Sequence, residues 1–293
     1  KIGIHTDSDF RIRSGIFYTL QQSVNDGHIY LYQEALLRET SELLGVQIQD
    51  MEQYLMDLAM EKKIVMKPSE QGMRIYTSHY YYMELNTAKM LHDLNLDFEI
   101  ADANLIRRIN KIEKNTELYL DDMQKTAVME AVRHGLMILT GGPGTGKTTT
   151  INAIIRYFET EDMEILLAAP TGRAAKRLSE LTGHAASTIH RLLEVDYSSG
   201  NVRFIHNEKN LLKYDVIILD EMSMVDVKLF QALLAAARYH CRIIMVGDAD
   251  QLPSVGPGNI LGEILRVGVV PTVRLTDIFR QAQQSLIVQN AHR

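Results

Sequence analysis

A single cysteine, Cys241, is all that the 293-residue chain offers for sulfur cross-linking. A disulfide framework is therefore excluded, and a reducing compartment, the cytoplasm, is the expected location. That thiol opens the apolar run CRIIMVGD and reads as a small buried group. No stretch approaches the roughly 20 consecutive apolar residues of a membrane-spanning helix. The polar opening KIGIHTDSDF lacks the pattern of a signal peptide, so no membrane partner is expected. No His or Cys spacing suits a structural metal, and the pair His184 and His190 does not supply one. Internal repeats and low-complexity tracts are also missing. Positive charge is scarce, with a net charge of -6. Residues 1–120 carry 13 Lys and Arg against 18 Asp and Glu, and residues 121–293 carry 18 against 19. The acidity sits in the N-terminal third, and average charge offers no evidence for a basic nucleic-acid track. The first residue is Lys1, not Met, so a piece of a longer or processed protein is expected.

What is present divides into two patterns. From Arg11 to Thr77, apolar residues at helical spacing (Ile12, Ile16, Leu20, Val24) end at the turn Asn25-Asp26-Gly27. A short strand around His28 to Leu31 follows, then helices over Tyr32 to Leu44 and from near Gln49. The runs IVMKP and MRIYT, separated by Ser69-Glu70-Gln71-Gly72, predict a hairpin. Helix, helix, helix, hairpin is the order of a winged helix, expected over 1–82 with helical connectors over 83–120. Its third helix carries Glu52, Asp57 and Glu61, which would repel phosphates, so contact with protein is expected there before contact with DNA. Tyr80, Tyr81 and Tyr82 could stack on unpaired bases, but packing of a linker helix is the expected role. After Asp121 the runs LMILT, EILLAAP, DVIILD and RIIMVGD alternate with helical segments. Strands this apolar belong to a parallel sheet buried on both faces, and the alternation predicts a doubly wound α/β domain over 121–293.

Gly141-Gly142-Pro143-Gly144-Thr145-Gly146-Lys147-Thr148 is a complete G-x-x-x-x-G-K-[ST] phosphate loop between the strand LMILT and a helix beginning Thr148-Thr149. Glycines let backbone N–H groups form a nest for phosphate oxygens, and the helix N-terminus adds partial positive charge. ATP is thus the expected cofactor, held by Gly142, Pro143, Gly144, Thr145, Gly146, Lys147, Thr148 and Thr149. Lys147 would meet the β and γ phosphates, and Thr148 would ligate Mg²⁺. Asp220, at the end of the strand VIILD, is the second expected Mg²⁺ residue. Glu221 beside it is placed to orient or deprotonate the attacking water.

Four further stretches narrow the class: APTGRAAKRL (169–178), DEMSMVD (220–226), GDADQLPSVGPG (247–258) and the closing LTDIFRQAQQSLIVQNAHR. Together these resemble the ordered motifs of superfamily 1 helicases, with wording similar to the RecD-like group. The resemblance implies a RecA-like P-loop domain and ATP-driven 5′–3′ movement on single-stranded DNA with unwinding at duplex junctions. It implies that Gln124 recognises adenine, that Gln251 senses the γ phosphate, and that Arg280 stabilises charge developing there. Thr171, Gly172 and Arg173 would hold the strand's backbone, with Thr188 and His190 as a second such element. A hairpin expected from Glu194 to Tyr197 and Val202 to His206, within an insertion at about 194–210, would be the pin that splits the duplex. The resemblance further implies that most of a second motor domain lies beyond Arg293, leaving these residues alone inactive as a helicase. A monomer is expected, with recombination or repair proteins as partners not identifiable from the sequence. The rival readings are the helicase domain of a conjugative relaxase and an ATP-gated DNA-binding module that does not translocate.

Overall fold

The computed structural model describes residues 9–47, 51–116, 118–196, 203–248, 250–251 and 256–276. Its contacts divide the chain into two compact units. One contains residues 1–88 with 226–228 and 254–258, and the other contains the remainder.

The first unit begins with helix α1 (Asp9–Asn25), strand β1 (Tyr30–Tyr32), α2 (Gln33–Leu44) and α3 (Glu52–Met60). The hairpin β2 (Ile64–Ser69) and β3 (Gly72–Thr77) follows, then α4 (Ser78–Leu94). The strands form an antiparallel sheet in the order β1-β3-β2. Ile12, Ile16 and Leu20 of α1 pack with Leu36 and Leu37 of α2, Leu55 and Leu58 of α3, and Ile64 and Ile75 of the hairpin. β1, α2 and α3 start one to three residues later than the apolar pattern suggests, and α2 begins without a side-chain cap and stops at the left-handed Gly45. Among the acidic residues of α3, Asp57 and Glu61 are both bridged by Arg13 of α1. Part of that acidity is thus neutralised within the unit.

The second unit continues with α5 (Asp102–Thr116), α6 (Asp122–Arg133), β4 (Leu136–Gly141), α7 (Lys147–Glu159), β5 (Ile165–Ala169), α8 (Gly172–Thr182) and β6 (Ala186–Thr188). After these come α9 (Ile189–Leu193), β7 (Val195–Asp196), β8 (Arg203–Phe204), β9 (Val216–Leu219), α10 (Val227–Ala236), β10 (Arg242–Gly247), α11 (Ile260–Val267) and β11 (Thr272–Leu275). Six strands make one sheet, β11-β4-β10-β9-β5-β6, in which every neighbouring pair is parallel. Strand residues alternate between its two faces, and both faces are covered. Ile138, Ile217, Leu219, Ile243 and Met245 meet Phe230, Leu233 and Leu234 of α10 on one side. Met137, Leu139, Ile218, Ile244 and Val246 meet α5, α6 and α7 on the other, with Phe158 fully buried. This is the doubly wound α/β architecture, in which ligands bind beyond the carboxyl ends of the strands.

Candidate nucleotide-binding site

The three central strands deliver the site. The loop after β4 is the phosphate loop, the loop after β9 brings Asp220 and Glu221, and the loop after β10 brings Asp248 and Gln251. Between them lies a cavity of about 880 Å³ lined by Gly144, Lys147, Thr148, Thr149, Asp220, Glu221, Asp248 and Gln251, among others. That volume lies within the usual range for ligand pockets.

The glycines of the loop have separate reasons. A Cβ on Gly141 would lie 2.6 Å from Thr145 Oγ1 and 2.7 Å from the Leu275 carbonyl oxygen, so only glycine lets the chain turn back there. Gly146 caps α7 at φ 87°, a conformation that side chains rarely adopt. Thr145 donates from its hydroxyl to the Gly142 carbonyl at 2.9 Å, closing the loop on itself. Lys147 Nζ donates to the carbonyls of Gly141 (2.5 Å) and Gly142 (2.9 Å), so its charge is held over the concavity. Burial lowers the Lys147 pKa from the usual lysine range, against the upward pull of Asp248, Asp220 and Glu221.

Opposite the lysine, burial raises the Asp220 carboxyl while the Glu221 N–H, Lys147 and Arg177 hold it down. Glu221 is raised by burial first and by the Asp220 charge second. Its backbone sits in the left-handed region, φ 55° and ψ 43°, and its N–H donates to Asp220 Oδ1 at 2.9 Å. A non-glycine residue held there costs about 1–3 kcal/mol and is characteristic of functional loops. The donor set also suits a particular kind of metal. No group of three or more His, Cys, Asp or Glu among the described residues forms a metal cage. A phosphate-lined site with one or two carboxylates is how Mg²⁺ is held together with a nucleotide.

Two charged members of this cavity were not singled out in the sequence. Asp248 is buried at the tip of β10, accepts from Asp250 N–H at 3.1 Å, and receives Gln251 Nε2 at 3.5 Å. Its signal was the same one that marks Asp220, an acidic residue at the end of an apolar parallel strand. Arg177, on α8, lines the cavity and acts electrostatically on Lys147, Asp220 and Glu221. Only the fold brings it there, four residues beyond the Arg173 singled out in the sequence.

The remaining residues are distributed as follows. Gln124 does not line the cavity. It is fully buried, accepts the Asp121 N–H through Oε1 at 3.0 Å in a capping box, and donates from Nε2 to the Gly146 carbonyl at 3.3 Å. Thr171 caps α8 by accepting the Ala174 N–H, with Gly172 and the exposed Arg173 following it. Thr188 caps α9 by accepting the Arg191 N–H, and the exposed His190 lies 6.1 Å, ring to ring, from Phe204. Thr171 and Thr188 thus stand at the tips of adjacent strands, β5 and β6, on the edge that carries the cavity. β7 and β8 pair antiparallel, Val195 with Phe204 and Asp196 with Arg203. The hairpin tip Ser198–Asn201 and Arg280 lie outside the described residues. His184 is engaged by the Thr182 carbonyl and Glu159. Tyr81 packs edge-to-face on Tyr76 of β3, while Tyr82 stays 54% exposed. No helix among the described residues is long and apolar enough to cross a membrane.

A family described as an AAA domain matches residues 124–257. The chain is 42% identical over 181 residues to the ATP-dependent RecD2 DNA helicase of Deinococcus radiodurans, covering 62% of this chain and 24% of that protein. It is 41% identical over 167 residues to the RecBCD enzyme subunit RecD of Mycolicibacterium smegmatis, covering 48% and 30%. Against the RecD subunit of Haemophilus influenzae the identity is 33% over 211 residues, covering 64% and 32%. The chain therefore spans between about a quarter and a third of the length of these relatives. With its parallel sheet, complete phosphate loop and facing carboxylates, the chain is similar over these residues to the RecD-like helicases of superfamily 1.

Proposed function

We propose that the protein couples ATP hydrolysis to 5′–3′ movement along single-stranded DNA and to separation of the duplex ahead. The observation that carries this reading is the Lys147 ammonium held on the loop carbonyls opposite Asp220, Glu221 and Asp248 across one cavity. Lys147 and the loop N–H groups bind the β and γ phosphates. Thr148 and Asp220 would hold Mg²⁺, which when bound neutralises charge on the phosphates. Glu221, lining the cavity beside Asp220, takes a proton from the attacking water as the general base. Gln251, bonded to Asp248, carries the state of the γ phosphate toward the strand-holding loops, and Arg280 adds charge stabilisation.

Thr171, Gly172, Arg173, Thr188 and His190 follow strands whose tips form one edge, an arrangement that supports a backbone track beside the ATP site. The β7–β8 hairpin is proposed as the pin. The first unit is proposed as a winged-helix-like accessory domain, and the RecD-type kinship makes repair or recombination the proposed setting. The test is unwinding of partial duplexes by the full-length protein. Substrates with a 5′ single-stranded tail should be opened in the presence of Mg-ATP and those with only a 3′ tail should not. Opening of 3′-tailed substrates alone would overturn the direction, and ATP turnover without opening of either would favour a DNA-gripping module.

A further inference from the structure

We propose that the outer face of the three-stranded sheet in the first unit is a second contact for single-stranded DNA, where unpaired bases stack on a ladder of tyrosines. Strand alternation separates that face from the core. Ile64, Met66, Ile75 and Leu31 turn inward, which leaves Tyr30, Tyr32, Lys67, Arg74 and Tyr76 on the opposite side. Five rings then run in sequence. Tyr32 meets Tyr30 at 5.6 Å, Tyr30 meets Tyr76 at 5.1 Å, Tyr76 meets Tyr81 of α4 at 5.5 Å, and Tyr81 meets Tyr82 at 5.3 Å. Two cations are set among them, Arg74 at 4.9 Å over the Tyr30 ring and Lys67 at 5.2 Å over Tyr81.

The rings in the middle of the ladder hold the sheet and α4 together, whereas its ends are open. Tyr32 is half-buried, Tyr82 is 54% exposed and Lys67 is exposed. Each ring brings a flat face with a polar tip. Aromatic faces accept only bases that are not already stacked in a duplex. The interleaved cations supply phosphate neutralisation, the other half of single-strand recognition. This face lies apart from the acidic α3 and provides a contact that helix does not.

The inference builds on the proposed action on single-stranded DNA, so its test separates the two. Binding of the full-length protein to oligothymidylate is compared with binding to an abasic oligonucleotide of equal length, for the unaltered protein, Tyr82→Leu, Tyr32→Leu/Tyr82→Leu and Tyr82→Phe. Tyr82→Leu should lose ~5- to ~150-fold in affinity for the oligothymidylate, the range for one lost base–aromatic stack, and the double leucine variant more. They should bind the abasic oligonucleotide as the unaltered protein does, and Tyr82→Phe should bind both normally. Lys67→Gln should lower the dependence of log affinity on log salt by about 0.7. Tyr82 is exposed, so its single variant carries the test if the double variant fails to fold. Equal losses on both oligonucleotides, or none on either, would overturn this contact alone. Failure of the unaltered protein to bind either would overturn it together with the proposed function.

Discussion

Replacing Gln124 with alanine separates two roles that one carboxamide could play. The side chain is fully buried and spans from the start of α6 to the phosphate loop. Alanine removes the acceptor for the Asp121 N–H, half of a capping box, for which the typical cost is about 1 kcal/mol. It also removes the donor to the Gly146 carbonyl, which keeps Thr150 N–H and Thr150 Oγ1 as partners, each at 3.0 Å. That second loss therefore stays near the usual net value of about 0.5–1.5 kcal/mol. Together with a small cavity, the destabilisation should total about 1–3 kcal/mol. For a unit of this size it appears as a fall in Tm of roughly 2–12 °C. A loosened loop binds phosphates less well whatever base they carry. The KM should rise about 2- to 13-fold, the equivalent of one hydrogen bond, for ATP and GTP alike. The assay is steady-state turnover with both nucleotides, beside thermal unfolding followed by circular dichroism. A penalty confined to ATP, with unchanged Tm, would refute the loop-positioning role and leave adenine recognition as the function of this residue.

Glu221→Gln should keep nucleotide binding while lowering turnover by about 10²- to 10⁴-fold, the range for loss of a general base. At the same position, Glu221→Gly should also lose turnover yet raise stability by about 1 kcal/mol, because φ 55° ceases to be strained. Deleting Ser198–Asn201 should spare DNA-stimulated ATPase and impair strand separation in a helicase assay, and a parallel loss of both would contradict the pin. The Cys241 thiol is pushed up to about 12 by burial. Its neutral form is favoured by the fold, so the stability it contributes is complete below the ordinary thiol pKa of ~8.5 and is lost as pH rises from there toward about 12. Maleimide should accordingly label Cys241 at pH 8 only after denaturation.

The sheet and the phosphate loop were legible because their signals are local. Runs such as LMILT and VIILD are apolar on both faces, and the loop's glycines stand at fixed offsets from Lys147 and Thr148. The adjacency of β4, β10 and β9, which brings Asp248 beside Asp220, is a matter of strand order and is not written in any single run. Arg177 was not singled out within APTGRAAKRL, and only the placement of α8 beside the loop gives it a role. Gln124 stood out only through the family resemblance; its capping box with Asp121 and its burial against Gly146 depend on α6 packing on α7. The tyrosine ladder was half legible. Tyr80 to Tyr82 stood out as a cluster, whereas their continuation through Tyr76, Tyr30 and Tyr32 required the strand register.

The cavity between the phosphate loop and the carboxylates is proposed to hydrolyse ATP in response to DNA. The most direct measurement is steady-state ATPase of the full-length protein with and without single-stranded DNA, for the unaltered chain and for Lys147→Ala. Turnover should rise on addition of DNA, and the variant should be folded yet slower by about 100-fold or more, since Lys147 is the charge that stabilises the β and γ phosphates. Near-normal turnover in folded Lys147→Ala, or a rate indifferent to DNA, would contradict the account.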